Sequence, residues 1–428
     1  MWWKTKNHLD VRGNRLTIAD IDAGQLAKKY STPLYVYDAN RILENFQRMK
    51  NTFEKFDSNV RIHYAMKANP HFQILKLLLN EGAWIDAVSP NEAKLALAAG
   101  YPKKQVLFTG TSVSNSDLQE LMRIGVRINI DSFSQMKRMA KLGFQGEASI
   151  RWNPGIGAGL HSHTITAGKY IKFGIPEEKI LAAFEEAKKL GFNIVGLHQH
   201  IGSGWLGGDV DKFLETANKT IETAKKAQEI LGKNLEFVDF GGGPGIKYAQ
   251  EQLSFPLELY ARGIAKRMQN SGLKAETAIE PGRYLVGDAG VLLLEANTVE
   301  EKNISIIGVD AGFNALIRPA FYGAYHEILN ASNVSAMKLH GYMVAGNLCE
   351  SSDVFNKSKE ELRELPTTQE GDIIAILNAG AYGMSMASNY NLRARPAEAM
   401  IFKGKDYLIT ERETTDDVVK KQRKDNLF

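Results

Sequence analysis

The sequence predicts an α/β plus β protein: a (β/α)8 barrel followed by a C-terminal β-barrel or sandwich domain. Three observations lead there. Eight strand-like runs alternate with helical patterns over roughly 240 residues, the size such a barrel needs. After Gly282 the rhythm changes to strand-like runs without regular intervening helices. Short strand-like pieces before residue 38 have no place in the count of eight, so they are expected to join the second domain. The organisation expected is thus N-terminal strands over 1–38, a barrel over 39–283 and a β domain over 284–428. A doubly wound sheet is the alternative, although it more often leaves an edge strand and uses fewer units.

Taken in order, Leu16 to Ile18 and Leu34 to Tyr37 read as the early strands, and Asn40 to Phe56 as an amphipathic helix. The barrel strands are expected at Val60 to Ala65, Trp84 to Val88, Val106 to Thr109, Val126 to Ile130, Ala148 to Trp152, Ile194 to His200, Leu235 to Phe240 and Glu276 to Glu280. Helix signals lie between them. Ser114-Asn115-Ser116-Asp117 offers an N-cap, Pro176-Glu177-Glu178 opens a helix, and Gly100, Gly125, Gly143 and Gly191 stand near helix ends. The β domain is expected to use Tyr284 to Ala289, Ile304 to Val309, Gly341 to Val344, Ile373 to Leu377, Ala399 to Phe402 and Tyr407 to Ile409.

A chain of 428 residues that is 44% hydrophobic and 24% charged has ordinary globular composition and length for two domains. Its single cysteine, Cys349, excludes an internal disulfide framework and suits a reducing compartment. With 53 basic and 49 acidic residues there is no dense basic block, so neither nucleic acid nor a membrane surface is an expected partner. Met1-Trp2-Trp3-Lys4 lacks a signal peptide's apolar core, and no run approaches the length of a membrane span. A cytoplasmic protein is expected.

Functional groups of such barrels gather at the C-terminal ends of the strands. His63-Tyr64-Ala65-Met66-Lys67-Ala68-Asn69-Pro70 puts Lys67 just past the first strand, among apolar neighbours that would favour its free amine. Read alone, the octapeptide favours a snorkelling lysine on a barrel rim. Gly241-Gly242-Gly243-Pro244-Gly245 follows the seventh strand and Glu280-Pro281-Gly282-Arg283 the eighth. Glycines let backbone N–H groups converge on an anion, and an arginine adds charge, so the two loops describe a phosphate cup. An amine and a phosphate cup on one rim point to pyridoxal phosphate, whose aldehyde takes the amine while its phosphate anchors it. His198-Gln199-His200-Ile201-Gly202-Ser203 adds an imidazole to stack on a ring and a hydroxyl for the phosphate. A zinc site or a hydrogen-bonded core pair is the other reading of those two histidines, and without a third ligand no metal is expected. Glu280, facing a pyridine nitrogen, would keep it protonated, which favours loss of carbon dioxide over racemisation.

With these residues in place, the chain resembles the fold-type III pyridoxal phosphate-dependent decarboxylases, and among them the diaminopimelate decarboxylases. The resemblance runs nearly end to end. It rests on HYAMKANP at 63–70, GLHQHIGSG at 196–204, DFGGGPGI at 239–246, EPGR at 280–283, DAGFNALIRPAFYGAYH at 310–326, CESSD at 349–353 and GAYGMSMASNYNLRARP at 380–396. It implies an alanine-racemase-like barrel with a C-terminal β domain, paired head to tail in a homodimer with shared active sites. Carried over residue by residue, Lys67 holds the cofactor, His200 stacks on it and Glu280 meets its ring nitrogen. Ser203, Gly241, Gly242, Gly243, Pro281, Gly282, Arg283 and Tyr382 hold the phosphate. Substrate contacts fall on Arg283, Arg318, Tyr322, Glu350 and Tyr382, and the proton donor on Cys349. Cys349 and Glu350 would enter the partner subunit's site.

The residue types suit those roles. Arg318 with Tyr322 can grip a carboxylate through charge-assisted bonds, and Glu350 an ammonium, as the far end of a diamino diacid requires. Out of their motif context, Arg318 reads as a surface ion-pair member, Tyr322 as a packing residue and Cys349 as a small buried hydrophobe. The implied reaction is decarboxylation of meso-2,6-diaminopimelate to L-lysine. A sister decarboxylase acting on ornithine, lysine or arginine would not need a second carboxylate held. An alanine racemase would usually place an arginine where Glu280 stands, and a non-enzymatic chain would lack the reactive groups. Gly204, Pro244 and Ser352 depart from the usual glutamine, leucine and glycine. Gly155 to Gly168, with His161 and His163, also departs and is expected to border the substrate.

Overall fold

Barrel strands lie where an apolar run meets turn chemistry. In the computed structural model, which describes residues 1–56, 58–157, 166–168, 170–335, 338–356, 358 and 360–423, these are β1 (Val60–Ala65), β2 (Trp84–Ala87), β3 (Val106–Phe108), β4 (Arg127–Ile130), β5 (Glu147–Asn153), β6 (Asn193–Gln199), β7 (Phe237–Asp239) and β8 (Glu276–Ile279). All pair in parallel, β8 joins β1, and β4 joins β5 to close the ring. The expected (β/α)8 barrel is present, with each strand within a few residues of its expected place. Helices follow because serines cap them. Ser89, Ser114 and Ser132 accept the N–H of Glu92, Asp117 and Gln135, opening Pro90–Ala98, Asn115–Ile124 and Phe133–Lys141. At the N-terminal mouth, the Arg61 guanidinium lies 4.4 Å from the Trp84 ring centroid. Arg127 bonds Glu147 at 2.7 Å and Glu236 at 2.6 Å there. Ion pairs and stacked rings fill this end, and the chemistry is left to the other.

The chain divides into two compact units, one of 43–247 with 252–285 and the other of 1–42, 248–251 and 286–428. The second unit holds β9 (Gly290–Glu301), β10 (Ser305–Val309), β11 (Ile328–Asn330), β12 (Leu339–Ala345), β13 (Arg363–Pro366), β14 (Ile373–Ile376), β15 (Ala397–Phe402) and β16 (Lys405–Thr410). Strand Leu34–Asp38 lies between β9, antiparallel, and β15, parallel. Alternation gives that strand two cores. Leu34 and Val36 pack with Leu16, Ile18 and Leu293, whereas Tyr35 and Tyr37 pack with Leu292, Leu294 and Ile376.

One expected strand is absent. Residues 284–289 do not extend; Arg283–Val286 forms a short helix, and the strand starts at Gly290. Short apolar runs buried on every side carry no period that separates helix from strand. Conversely, β9 was not expected because its far half is exposed and carries Glu295, Glu300 and Glu301.

Candidate active site

Lys67 sits in a single 3₁₀ turn, Met66–Ala68, directly after β1. Its surroundings are not the apolar ones expected from its sequence neighbours. The Lys67 Nζ lies 2.8 Å from Asp86 Oδ2, on the fully buried side chain at the end of β2, while the lysine side chain is 36% exposed. The nitrogen is thus held by a buried acidic group. Burial pushes the Asp86 carboxyl up, Glu280 adds to the rise, and Lys67 opposes it. Glu92, in the first turn of the next helix, accepts the Val88 N–H at 2.7 Å. Burial pushes its carboxyl up to about 6, against that hydrogen bond and the Lys67 charge.

The loop after β8 packs on this turn. A Cβ on Gly282 would stand 3.0 Å from Ala65 O and 3.1 Å from Ala68 Cβ, so glycine permits the approach. Pro281, Gly282 and Arg283 are all buried. Glu280, 4% exposed, offers Oε2 to His198 Nε2 at 3.0 Å, while its buried Oε1 has no hydrogen-bond partner among the described residues. Such an orphan costs about 1 to 3 kcal/mol.

The glycine turn after β7 is built against the loop after β6. Gly243, at φ +130°, would bring a Cβ to 2.4 Å from the Trp205 ring, and a Cβ on Gly242 would lie 2.5 Å from Glu280 O. Gly241 N–H donates to Asp239 Oδ1 at 2.8 Å and Gly242 N–H to His200 Nδ1 at 2.9 Å. Those two donors are engaged, so these glycines contribute closeness of approach. Because His200 Nδ1 accepts, its proton is on Nε2 and the ring is neutral. Loss of hydration, then the Lys67 and Arg151 charges, hold this imidazole well below its ordinary value. Ser203 is half-buried beyond it.

Several groups here escaped the reading of motifs. Asp86, His63, Asp239 and Arg151 all end or line barrel strands and are almost wholly buried. Their signal was available: a charged or polar residue at an inward position of an otherwise apolar strand. His63 Nδ1 lies 3.1 Å from Asp239 Oδ2. Ligand atoms of His63, Asp239 and Glu280 lie within 4.8 Å of one another. Of these, His63 and Asp239 share the hydrogen bond just given, while Glu280 bonds to His198.

In the second unit Arg318 is 2% exposed, which removes the reading of a surface ion pair. Its Nε donates to His326 Nε2 at 3.2 Å, and His326 Nδ1 donates to Leu377 O at 2.9 Å. The guanidinium lies 5.3 Å from the Tyr248 ring centroid and 5.9 Å from that of Tyr322. Cys349 and Glu350 are exposed, which removes the buried-hydrophobe reading of the cysteine. Buried Asp353 shapes their loop by accepting the N–H of Leu348 at 2.8 Å and of Phe313 at 2.7 Å. Tyr382 has φ +57°, an unusual backbone state for an aromatic residue and one often kept for function.

Asn153 ties residues 155 and 168 together by accepting both their N–H groups, at 3.0 and 2.9 Å. His161 and His163 lie outside the described residues. Among the described residues no helix is long and apolar enough to cross a membrane.

For pyridoxal phosphate the residues fit. A protonated ring nitrogen is the donor that Glu280 Oε1 lacks, His200 offers a fixed neutral ring, and the Cβ-free turn allows close approach of an anion.

Comparison with known proteins agrees. Residues 39–287 match the family described as pyridoxal-dependent decarboxylase, pyridoxal binding domain. The chain is 43% identical over 413 residues to the diaminopimelate decarboxylase of Methanothermobacter thermautotrophicus, covering 95% of each. It is 36% identical over 419 residues to that of Archaeoglobus fulgidus, covering 95% of this chain and 97% of the relative. It is also similar to the crystal structure of the M. jannaschii diaminopimelate decarboxylase in complex with L-lysine, with a TM-score of 0.89 and 32% identity over 97% of this chain and 98% of the other.

Proposed function

The chain belongs to the diaminopimelate decarboxylase family, within the pyridoxal-dependent decarboxylases, and from that premise we propose that it removes carbon dioxide from the D centre of meso-2,6-diaminopimelate to give L-lysine. The observation that carries the cofactor part is Glu280, with one carboxylate oxygen fixed by His198 and the other buried and waiting for a donor. Bound pyridoxal phosphate supplies an electron sink for the pair left behind when carbon dioxide departs.

This chain's own residues then have separable tasks. Lys67 holds the cofactor, and Asp86 stands 2.8 Å away to take the proton that its nitrogen must lose to become a nucleophile. His200 presents a neutral ring face to the cofactor. Ser203, Gly241, Gly242, Gly243, Pro281, Gly282, Arg283 and Tyr382 surround the phosphate. One carboxylate leaves and the other must stay held, so a cation is needed for the retained carboxylate and an anion for the retained ammonium. Arg318 with Tyr322 answers the first need and Glu350 the second, while Arg283 and Tyr382 also touch substrate. Cys349 supplies the proton that replaces carbon dioxide. The exposure of Cys349 and Glu350 on one loop supports their reaching a second subunit's site in a homodimer.

A site built around buried polar groups rejects analogues that leave them unpaired. Lysine, ornithine and arginine lack the second carboxylate and are expected to be very poor substrates. The test has two parts. Borohydride reduction of the cofactor-loaded protein should fix label on Lys67 alone. Carbon dioxide release should be far faster from meso-diaminopimelate than from the other three, and Arg318→Ala should lower kcat/KM roughly 10- to 100-fold without loss of bound cofactor. Label on another lysine, or preference for a mono-carboxylate substrate, would refute the corresponding part.

A further inference from the structure

Four consecutive strands of the closed sheet, β6, β7, β8 and β1, each carry one buried titratable side chain in the strand's second half or just past its end. They are His198, Asp239, Glu280 and His63, exposed by 0%, 0%, 4% and 2% respectively. The pairing is crossed. His198 on β6 reaches past β7 to Glu280, and Asp239 on β7 reaches past β8 to His63, at 3.0 and 3.1 Å. Side chains from alternate strands share a layer inside a barrel, which gives this crossing its geometry. Asp239 is fixed a second time, by the Gly241 N–H at 2.8 Å. Among the described residues Glu280 has no second side-chain anchor, so His198 alone sets how its carboxylate is turned.

We propose that His198 is a positioning residue for the decarboxylation: its Nε2–H holds Glu280 Oε2, so that Oε1 is presented to the cofactor's ring nitrogen. This rests on the reading of the site as a pyridoxal phosphate site and goes beyond it by assigning a role to the first histidine of the His198-Gln199-His200 segment. His200 would face the cofactor, whereas His198 is fully buried and would act through Glu280. Without the Nε2–H, both carboxylate oxygens would be buried without a donor, and nothing would fix the direction in which the group is turned. Turned away, Oε1 would no longer meet the proton of the ring nitrogen.

The test measures binding of pyridoxal phosphate, and of its deaza analogue with carbon in place of the ring nitrogen, to apoprotein. Wild type should prefer pyridoxal phosphate by at least about tenfold, the equivalent of one pKa unit at the ring. His198→Phe, which keeps the ring volume, should reduce that preference to about threefold or less and lower kcat about tenfold with little change in KM. His198→Gln, whose amide can donate from a similar place, should restore the preference. Undiminished preference in His198→Phe overturns the proposal. Should that variant not fold, the ¹⁵N resonance of His198 Nε2 in wild type decides: it should report a protonated nitrogen that shifts on adding pyridoxal phosphate and not the deaza analogue. An unprotonated or unmoved Nε2 overturns the proposal. Wild type that binds neither molecule overturns the functional reading as well, which separates the two failures.

Discussion

Replacing Glu92 by glutamine should stabilise the protein at neutral pH and do almost nothing in acid. In the fold this carboxyl is pushed from 4.5 up to about 6, chiefly by burial, although it accepts the Val88 N–H at 2.7 Å. A group whose value is raised on folding favours the folded state below its unfolded value and loses that advantage as pH rises through the folded one. The window is therefore from about 4.5 to about 6. Above it the ionised side chain costs the fold about 2 kcal/mol, since a tenfold shift in the proton equilibrium is worth about 1.4 kcal/mol. Glutamine retains an acceptor for Val88 and carries no charge. The expected gain at pH 7.5 is about 2 kcal/mol, or roughly 4 to 8 °C in Tm for a barrel-sized cooperative unit. At pH 4 it should shrink to a few tenths of a kcal/mol. Melting wild type and Glu92→Gln across this range, both as apoprotein, measures the difference. Equal Tm at pH 7.5, or a gain that persists unchanged at pH 4, would refute the assignment of burial as the dominant influence. The cost of an ionised Glu92 fits a site where negative charge beside Lys67 and Asp86 is worth more than stability.

Other consequences can be checked separately. Gly243→Ala would place a Cβ 2.4 Å from the Trp205 ring at φ +130°, and is expected to cost about 2 to 5 kcal/mol and to weaken cofactor binding. Gly191→Ala, with nothing within 4 Å and φ +72°, should cost only about 1 to 2 kcal/mol; thermal melts of the two variants should differ accordingly. Mixing inactive Lys67→Ala and Cys349→Ala proteins should restore about a quarter of wild-type specific activity, because half of randomly mixed dimers are hybrids with one intact site. Hybrids that form, as shown by tagged pull-down, and remain inactive would rule out the shared site.

The sequence by itself determined the barrel and the rim that carries the chemistry. Period and punctuation are local properties: the apolar run Val60 to Ala65, the capping serines Ser89, Ser114 and Ser132, and glycines at helix ends can be read without knowing what lies across the core. Placing Lys67, the glycine turn and Glu280 at the ends of strands one, seven and eight needed no more than the strand count. Local signals failed where burial overrides period, as at residues 284–289, or where a long strand leaves the core, as β9 does. What only the tertiary structure decided was which charged groups meet. Lys67 and Asp86 are nineteen residues apart, and His198 and Glu280 eighty-two, yet each pair shares a hydrogen bond. Closure of the barrel brings these side chains inside a space with little water, where an ion or lone pair must find its partner across strands or remain unpaired. Sequence spacing carries no record of that choice, because it is made by the register of neighbouring strands and the inward direction of each side chain.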